Sequence, residues 1–352
     1  MRIGGATEVL VRLGVTGEVK HTSHRRLTSR LAVFLLAAGL LLTLSGCNGS
    51  DYDTKPHRSQ EQRQIALVLK SQTSDFWKTV RTGAEAAAKE FNVELFVEAA
   101  SGEEDVQEQL QLVEQAVHYK RDAIVLAAND GMALAAPVNR AAAAGIPVIS
   151  IDTELHEAKT AAFIGIDHYD AGRKAGEKLA ALLGGAGRVA IVSFRPELRH
   201  TAERERGVLE ALQRHPGIRV IAKAHCTSSE TLCVEQAREL LEDDEPVNGI
   251  AALHAVSSLG VARELERLGL QGQVQVVTFD STQEDIEYLQ EGVIQATVVQ
   301  NPFTMGYLGV KYAVDALQGA KLPERYDTGT TVIDQHNMFW TDNQKRLFPF
   351  VK

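Results

Sequence analysis

Two short apolar runs, each ending on an aspartate, constrain this chain more than any other feature. Val148-Ile149-Ser150-Ile151 leads into Asp152, and Val276-Val277-Thr278-Phe279 leads into Asp280. Each run is too short for a helix and apolar on both faces, as in a strand buried within a parallel sheet. Each also closes a series of four such runs. The first series predicts strands over 65–69, 93–97, 123–126 and 146–151, with helices over 76–91, 106–119 and 132–144. The second predicts strands over 189–192, 218–221, 250–253 and 274–279, with helices over 201–213, 230–241 and 257–268. Strands alternating with helices of about 10–15 residues make βαβ units and a parallel sheet. Ile65 to Asp152 spans 87 positions and Val189 to Asp280 spans 91. The unit is therefore read as an internal duplication, two similar doubly wound parallel α/β lobes. Ligands of such sheets sit beyond the carboxyl ends of the strands. Asp152 and Asp280 hold matching strand ends, so lobes that face each other bring both carboxylates into one cleft.

The loop after the first strand, Ser71-Gln72-Thr73-Ser74-Asp75, ends in the adjacent aromatics Phe76 and Trp77 at a helix start. Aromatic faces stack on the apolar face of a sugar ring or on a cation. Neighbouring helical residues point ~100° apart, so at most one of the pair is deep core and the other is expected to line the cleft.

Five stretches, in this order, carry a resemblance. They are Ile65 to Leu69 with the Phe76-Trp77 loop; Gly145-Ile146-Pro147-Val148-Ile149 running into Asp152; Arg204-Glu205-Arg206-Gly207; Val277-Thr278-Phe279-Asp280; and Ala296-Thr297-Val298-Val299-Gln300. Over roughly 64–333 the chain resembles the periplasmic sugar-binding proteins related to the ribose-binding protein, whose type I fold also forms the effector domain of LacI-type regulators. The resemblance implies that Phe76 and Trp77 sandwich a sugar ring. It implies that Asp152 and Asp280 accept from adjacent hydroxyls, that Arg204 donates to sugar oxygens and that Gln300 is a hinge-side amide. On the residues alone, Arg204 pairs with Glu203 in the alternative reading, and Gln300 only closes a hinge turn. Three hinge crossings are implied, near Ile166-Asp167, at Gln300-Asn301-Pro302, and at 330–334 after a helix over 303–317.

The chain departs from the family pattern at several positions. Thr153 stands where arginine is usual, His254 and Ala255 where asparagine and aspartate are usual, and Ala127-Ala128 where Asn-Pro is usual, with Asn129-Asp130 just beyond. These changes remove donors from three positions and argue for a sugar other than ribose, a larger one, or a non-sugar. His254 is either a direct contact or a bystander at a strand end.

An apolar run of 14 residues, 31–44, follows Arg25, Arg26 and Arg30 and precedes Leu44-Ser45-Gly46-Cys47. A membrane span needs ~20 residues, so this is read as a secretory signal. The tripeptide before Cys47 resembles the lipobox of bacterial lipoproteins, which makes Cys47 the acylated first residue of the mature chain. No helix-turn-helix precedes Ile65, so the regulator form of the fold is set aside. The expected organisation is a signal peptide (1–46), a flexible polar linker (47–63), a first lobe (64–166 with 301–330) and a second lobe (167–300 with 331–352). The tail, apolar at Phe339, Trp340, Leu347, Phe348 and Phe350, is expected to pack on a lobe.

The formal charge is −9, and the first 46 residues hold six Lys/Arg against two Asp/Glu, which leaves the remainder near −13. Such an acidic body argues against nucleic acid as a partner. Cys226 and Cys233, seven apart in an exported chain, are either a disulfide or two half-buried thiols. The sequence has no Walker loop, no HExxH and no Gly-x-Ser-x-Gly elbow, so no cofactor, metal or catalysis is expected. The rival enzyme reading is a glycosidase with two carboxylates across the cleft. The expectation is a monomeric, lipid-anchored extracytoplasmic protein that captures a sugar or sugar-like molecule for an ABC permease. The alternative is a sensor presenting its closed form to a membrane histidine kinase.

Overall fold

A computed structural model describes residues 62–348. The signal peptide, Cys47, nearly all of the linker and Phe350 lie outside the described residues.

Twelve strands form two six-stranded sheets among the described residues. The first sheet contains β1 (Gln64–Leu69), β2 (Glu94–Ala99), β3 (Ala123–Leu126), β4 (Val148–Ile151), β5 (Ala162–Gly165) and β11 (Arg325–Asp327), in the order β11-β5-β4-β3-β1-β2. The second contains β6 (Ala186–Ser193), β7 (Gly217–His225), β8 (Gly249–Ala252), β9 (Gln275–Phe279), β10 (Ala296–Val299) and β12 (Thr331–Asp334), in the order β12-β10-β9-β8-β6-β7. The two orders are the same, which is the structural form of the duplication. All pairs are parallel except β10 with β12, which run antiparallel. β3, β4, β5, β8 and β10 are buried along their whole length, which is why β3, β4 and β8 read in sequence as short, mainly apolar runs.

Helices flank both sheets: α1 (Asp75–Glu90), α2 (Val106–His118), α3 (Ala135–Ala143), α4 (His168–Leu182), α5 (Arg199–Gln213), α6 (Glu230–Leu241), α7 (Ala255–Leu268), α8 (Gln283–Glu291), α9 (Pro302–Leu317) and α10 (Thr341–Leu347). Asn301 caps α9 by accepting from the Thr304 amide at 3.2 Å, with Pro302 at the first helical position.

Several expectations are corrected. Each sheet has six strands rather than four, because β5 and β10 continue past the terminal aspartates, and after α9 the strands β11 and β12 add one edge strand to the first and second sheet respectively. The polar triplet Arg325-Tyr326-Asp327 carries no apolar alternation to announce a strand. The helix expected from 132 begins at Ala135, since Asp130 Oδ1 instead takes up the amides of Met132 and Ala133 in a turn. The third crossing lies between Asp327 and Thr331, so that the residues expected to form it, 331–334, are instead strand β12, with Thr330 held by Lys174 Nζ at 3.1 Å. In the tail, Met338, Leu347 and Phe348 pack on the core of the second sheet, whereas Phe339 and Trp340 are 62% and 66% exposed. Those two stand on the turn before α10, and that short helix buries only Asn343 and Leu347.

α4 and α5 cross at close range. A Cβ on Gly207 would lie 2.2 Å from the Tyr169 carbonyl oxygen, and one on Gly172 would lie 2.0 Å from that of Arg204. The Gly207 of the Arg204-Glu205-Arg206-Gly207 stretch therefore lets α5 seat against α4 and fixes where Arg204 lies. Cys226, just past β7, and Cys233, on α6, are joined by a disulfide with an S–S distance of 2.12 Å, and both are fully buried.

Candidate functional site

Asp152 follows β4 and Asp280 follows β9, and both take the left-handed conformation, at φ 61° and 70°. Aspartate tolerates that region better than most residues. The two backbones are pinned alike: Asp152 N donates to Ile164 O at 2.9 Å, and Asp280 N donates to Val298 O at 3.0 Å. Both residues line a single cavity of about 610 Å³, a size typical of small-molecule sites. Phe76, Trp77, Arg204, His254 and Gln300 line it too, so the structure brings all seven sequence-derived candidates to one place.

Lys70 Nζ pairs with Asp152 Oδ2 at 2.7 Å. Burial alone would raise the Asp152 carboxyl, but the Lys70 ammonium, with Arg204 further off, holds it below the ordinary carboxylate range. Asp280 differs. Burial raises it, and Arg204 and the 2.8 Å bond from Gln300 Nε2 only partly offset that. Gln300 Oε1 is buried without a partner.

Arg204 is buried on α5. Its Nη1 donates to Leu253 O at 2.8 Å, its Nε donates to His168 Nδ1 at 3.3 Å, and its guanidinium lies 4.5 Å from the Phe279 ring centroid. Glu203 bonds to Arg199 at 2.7 Å instead, so the surface pairing considered for Arg204 does not form. His168 is pushed down to about 3, first by burial and then by the Arg204 charge, and burial takes His200 well below its usual value. Both imidazoles are therefore neutral around Arg204 at pH 7.

Phe76 and Trp77 meet edge to face, with centroids 4.8 Å apart and planes at 77°. They therefore do not present two parallel faces to one ring, a correction to the sandwich expected of the pair. Trp77 is almost wholly buried and donates from Nε1 to Glu103 Oε1 at 2.7 Å. In the second lobe, His254 stacks on Phe194 with centroids 4.5 Å apart and planes at 13°. His254 occupies the N-cap of α7, where the Ser257 hydroxyl takes up its amide at 3.1 Å. Its ring is thus left to the cleft, with Nδ1 buried and unpartnered.

Sequence reasoning passed over Lys70, Glu103 and His200. Lys70 is the first polar residue after β1, and Glu103 lies in the loop after β2. The rule that singled out the aspartates, position at a strand's carboxyl end, covers both of them. Lys70 also supplies the cation that Thr153 lacks, since Thr153 Oγ1 itself leans on Asp152 at 3.2 Å. Ala127 and Ala128 are fully buried in the core and offer the cleft nothing. Among the described residues, no group of three or more His, Cys, Asp or Glu side chains could hold a metal ion, and no helix is long and apolar enough to cross a membrane.

The family and the fold have known relatives. Residues 65–321 match the family described as periplasmic binding protein domain. The D-allose-binding periplasmic protein of Escherichia coli (strain K12) is 28% identical over 292 residues, covering 81% of this chain and 90% of that protein. A solved carbohydrate transporter solute binding protein from Agrobacterium radiobacter, in complex with D-arabinose, superposes with a TM-score of 0.79 at 29% identity, covering 82% of this chain and 100% of that one. A glucose-galactose binding protein from Geobacillus stearothermophilus gives a TM-score of 0.75 at 31% identity, covering 80% and 100%.

Proposed function

On the premise that this chain belongs to the periplasmic binding protein family, we propose that it captures a neutral sugar or close sugar analogue in the cleft between its lobes and delivers it to an ABC importer. The observation that carries this reading is the convergence of Asp152 and Asp280, from duplicated positions in two sheets, on one cavity that also holds Arg204. A sugar offers a ring of hydroxyls that both donate and accept. Carboxylates and a guanidinium already fixed by burial and hydrogen bonds bind such groups with charge-assisted bonds. Gln300 Oε1 and His254 Nδ1 add two unpartnered atoms to the same lining. Asp75 and Glu284 also line the cavity but are paired with Lys78 and Arg263 outside it. The remaining charges, Lys70 and Arg204 against Glu103, Asp152 and Asp280, come near to balance, which favours an uncharged ligand.

Phe76 and the His254–Phe194 stack are proposed as the apolar surfaces on either side of the ligand. The departures at Thr153, His254 and Ala255 mean that ribose is not assumed to be the cargo. Binding energy spent on closing the lobes makes the closed form the species that a membrane partner recognises. The lipobox at Cys47 is proposed to tether this trap outside the cytoplasm. Presentation to a sensor kinase uses the same closed form and differs only in the membrane partner.

A thermal-shift screen against monosaccharides, inositols and furanose-type polyols tests the reading. A ligand at 100 times its Kd stabilises by about 2.7 kcal/mol, a shift of a few degrees. A panel in which no polyol moves the transition would refute the sugar assignment.

A further inference from the structure

The loop between β2 and α2 carries two consecutive acids, and each reaches across the cleft. Glu103 holds Trp77 Nε1 of its own lobe through one oxygen, while the other lies 3.7 Å from His254 Nε2 of the opposite lobe. Glu104 makes the firmer contact: its Oε1 accepts from both the Ser228 amide, at 2.8 Å, and the Ser228 hydroxyl, at 2.9 Å. Ser228 belongs to the second lobe, 124 positions away in sequence. Glu104 itself is exposed at the lip of the cleft and is not part of the cavity lining.

The partner of Glu104 is unusually well fixed. Ser228 sits inside the Cys226–Cys233 disulfide. Thr227, next to it, takes a left-handed φ of 49°, a conformation that a non-glycine residue holds only when its surroundings impose it. Ser229 caps α6 by accepting from the Leu232 amide at 3.3 Å. The bridge, the left-handed residue and the cap together leave the Ser228 amide little freedom of direction. A donor fixed in advance loses less entropy when its acceptor arrives.

Resting on the reading of this protein as a closing trap, we propose that Glu104 and Ser228 form a latch that holds the two lobes together, and that the Cys226–Cys233 bridge positions the latch. Glu104 lies outside the cavity lining, although Ser228 borders it, and the latch acts on the fraction of molecules that are closed, with which apparent affinity scales. Its removal therefore speeds ligand release more than it slows capture.

The test uses the full chain with Cys47→Ala, to remove the third thiol, and spin labels at Lys120→Cys and Asp244→Cys, both exposed and on opposite lobes. The distance distribution between the labels is measured with and without D-allose, and D-allose release is followed by fluorescence. Glu104→Ala is expected to raise the open population and to speed release on the order of tenfold, the scale of a lost charge-assisted pair of hydrogen bonds. Glu104→Gln, which keeps an acceptor oxygen, falls between. In a chain carrying Cys226→Ser and Cys233→Ser, the effect of Glu104→Ala should largely vanish, because the two changes act through one contact. If that chain fails to fold, Ser228→Ala with the bridge intact takes its place and should abolish part of the Glu104→Ala effect.

Unchanged distances and release rates in Glu104→Ala overturn the latch. An effect of undiminished size without the bridge, or in Ser228→Ala where that chain is used, overturns the coupling. If D-allose does not bind the parent chain, that result counts against the sugar reading alone, and the ligand-free distances still decide the latch.

Discussion

Lys70 Nζ lies 2.7 Å from Asp152 Oδ2, with the two side chains only 4% and 10% exposed. Such a pair is costly to break from one side, because the partner left behind is a buried charge. Lys70→Met should therefore destabilise the protein by about 3–5 kcal/mol. Adding Asp152→Asn to the same chain should recover most of that loss. Urea unfolding of the two variants measures both quantities, and equal stabilities would show that the pair is not coupled.

Gly207 sets a second, purely steric condition on the site. Its Cβ position is filled by the Tyr169 carbonyl oxygen at 2.2 Å, so Gly207→Ala must push α5 off α4. The expected cost is about 2–3 kcal/mol, typical of overpacking. Because Arg204 rides on the same helix, ligand affinity should fall as well. Calorimetric titration of the folded variant separates this from simple destabilisation: unchanged affinity would mean that Arg204 is positioned by other contacts.

Two buried groups give opposite pH dependences. Asp285 on α8 accepts from the Thr282 amide at 3.1 Å and from its hydroxyl at 2.7 Å through one oxygen, while the other has no partner. Burial raises its carboxyl from 3.8 to about 7. The folded state therefore holds a proton that the unfolded state sheds, and this group's contribution to stability falls as pH rises from 4 to 7. Asp285→Asn should stabilise by about 1–3 kcal/mol at pH 8 and by little at pH 4.

His168 works the other way. Its folded value of about 3 lies below the ordinary 6.5. Stability is complete above pH 6.5 and is lost as pH falls toward 3, where only the unfolded chain takes up the proton. Replacing it by the neutral His168→Gln should flatten this acid limb. Thermal unfolding at several pH values reads both effects, and a His168→Gln chain with the same acid slope as the parent would contradict the assignment.

The duplication, the βαβ order and the convergence of Asp152 with Asp280 were legible in sequence because buried parallel strands write themselves as short apolar runs. Their matched left-handed backbones were not, since nothing in Ile151-Asp152 or Phe279-Asp280 distinguishes such a turn from an ordinary strand end. β11 and β12 escaped notice because three or four residues at a sheet edge need no apolar alternation. Lys70 was hidden by its position directly against the apolar run, where it reads as strand punctuation. The edge-to-face arrangement of Phe76 and Trp77 depends on the Trp77 bond to Glu103, 26 residues away, a contact no local pattern contains.

The central claim is that Asp152, Arg204 and Asp280 form one sugar-binding cleft. Isothermal titration of the purified protein with D-allose, D-ribose, D-arabinose, D-glucose and D-galactose, repeated on Asp280→Ala, tests it most directly. The account predicts one-to-one binding of at least one of these neutral monosaccharides by the parent chain. It also predicts a loss of affinity of at least a hundredfold in Asp280→Ala, the scale of removing a buried charged acceptor from its hydrogen-bond donors. No binding by the parent, or binding that survives Asp280→Ala undiminished, would contradict it.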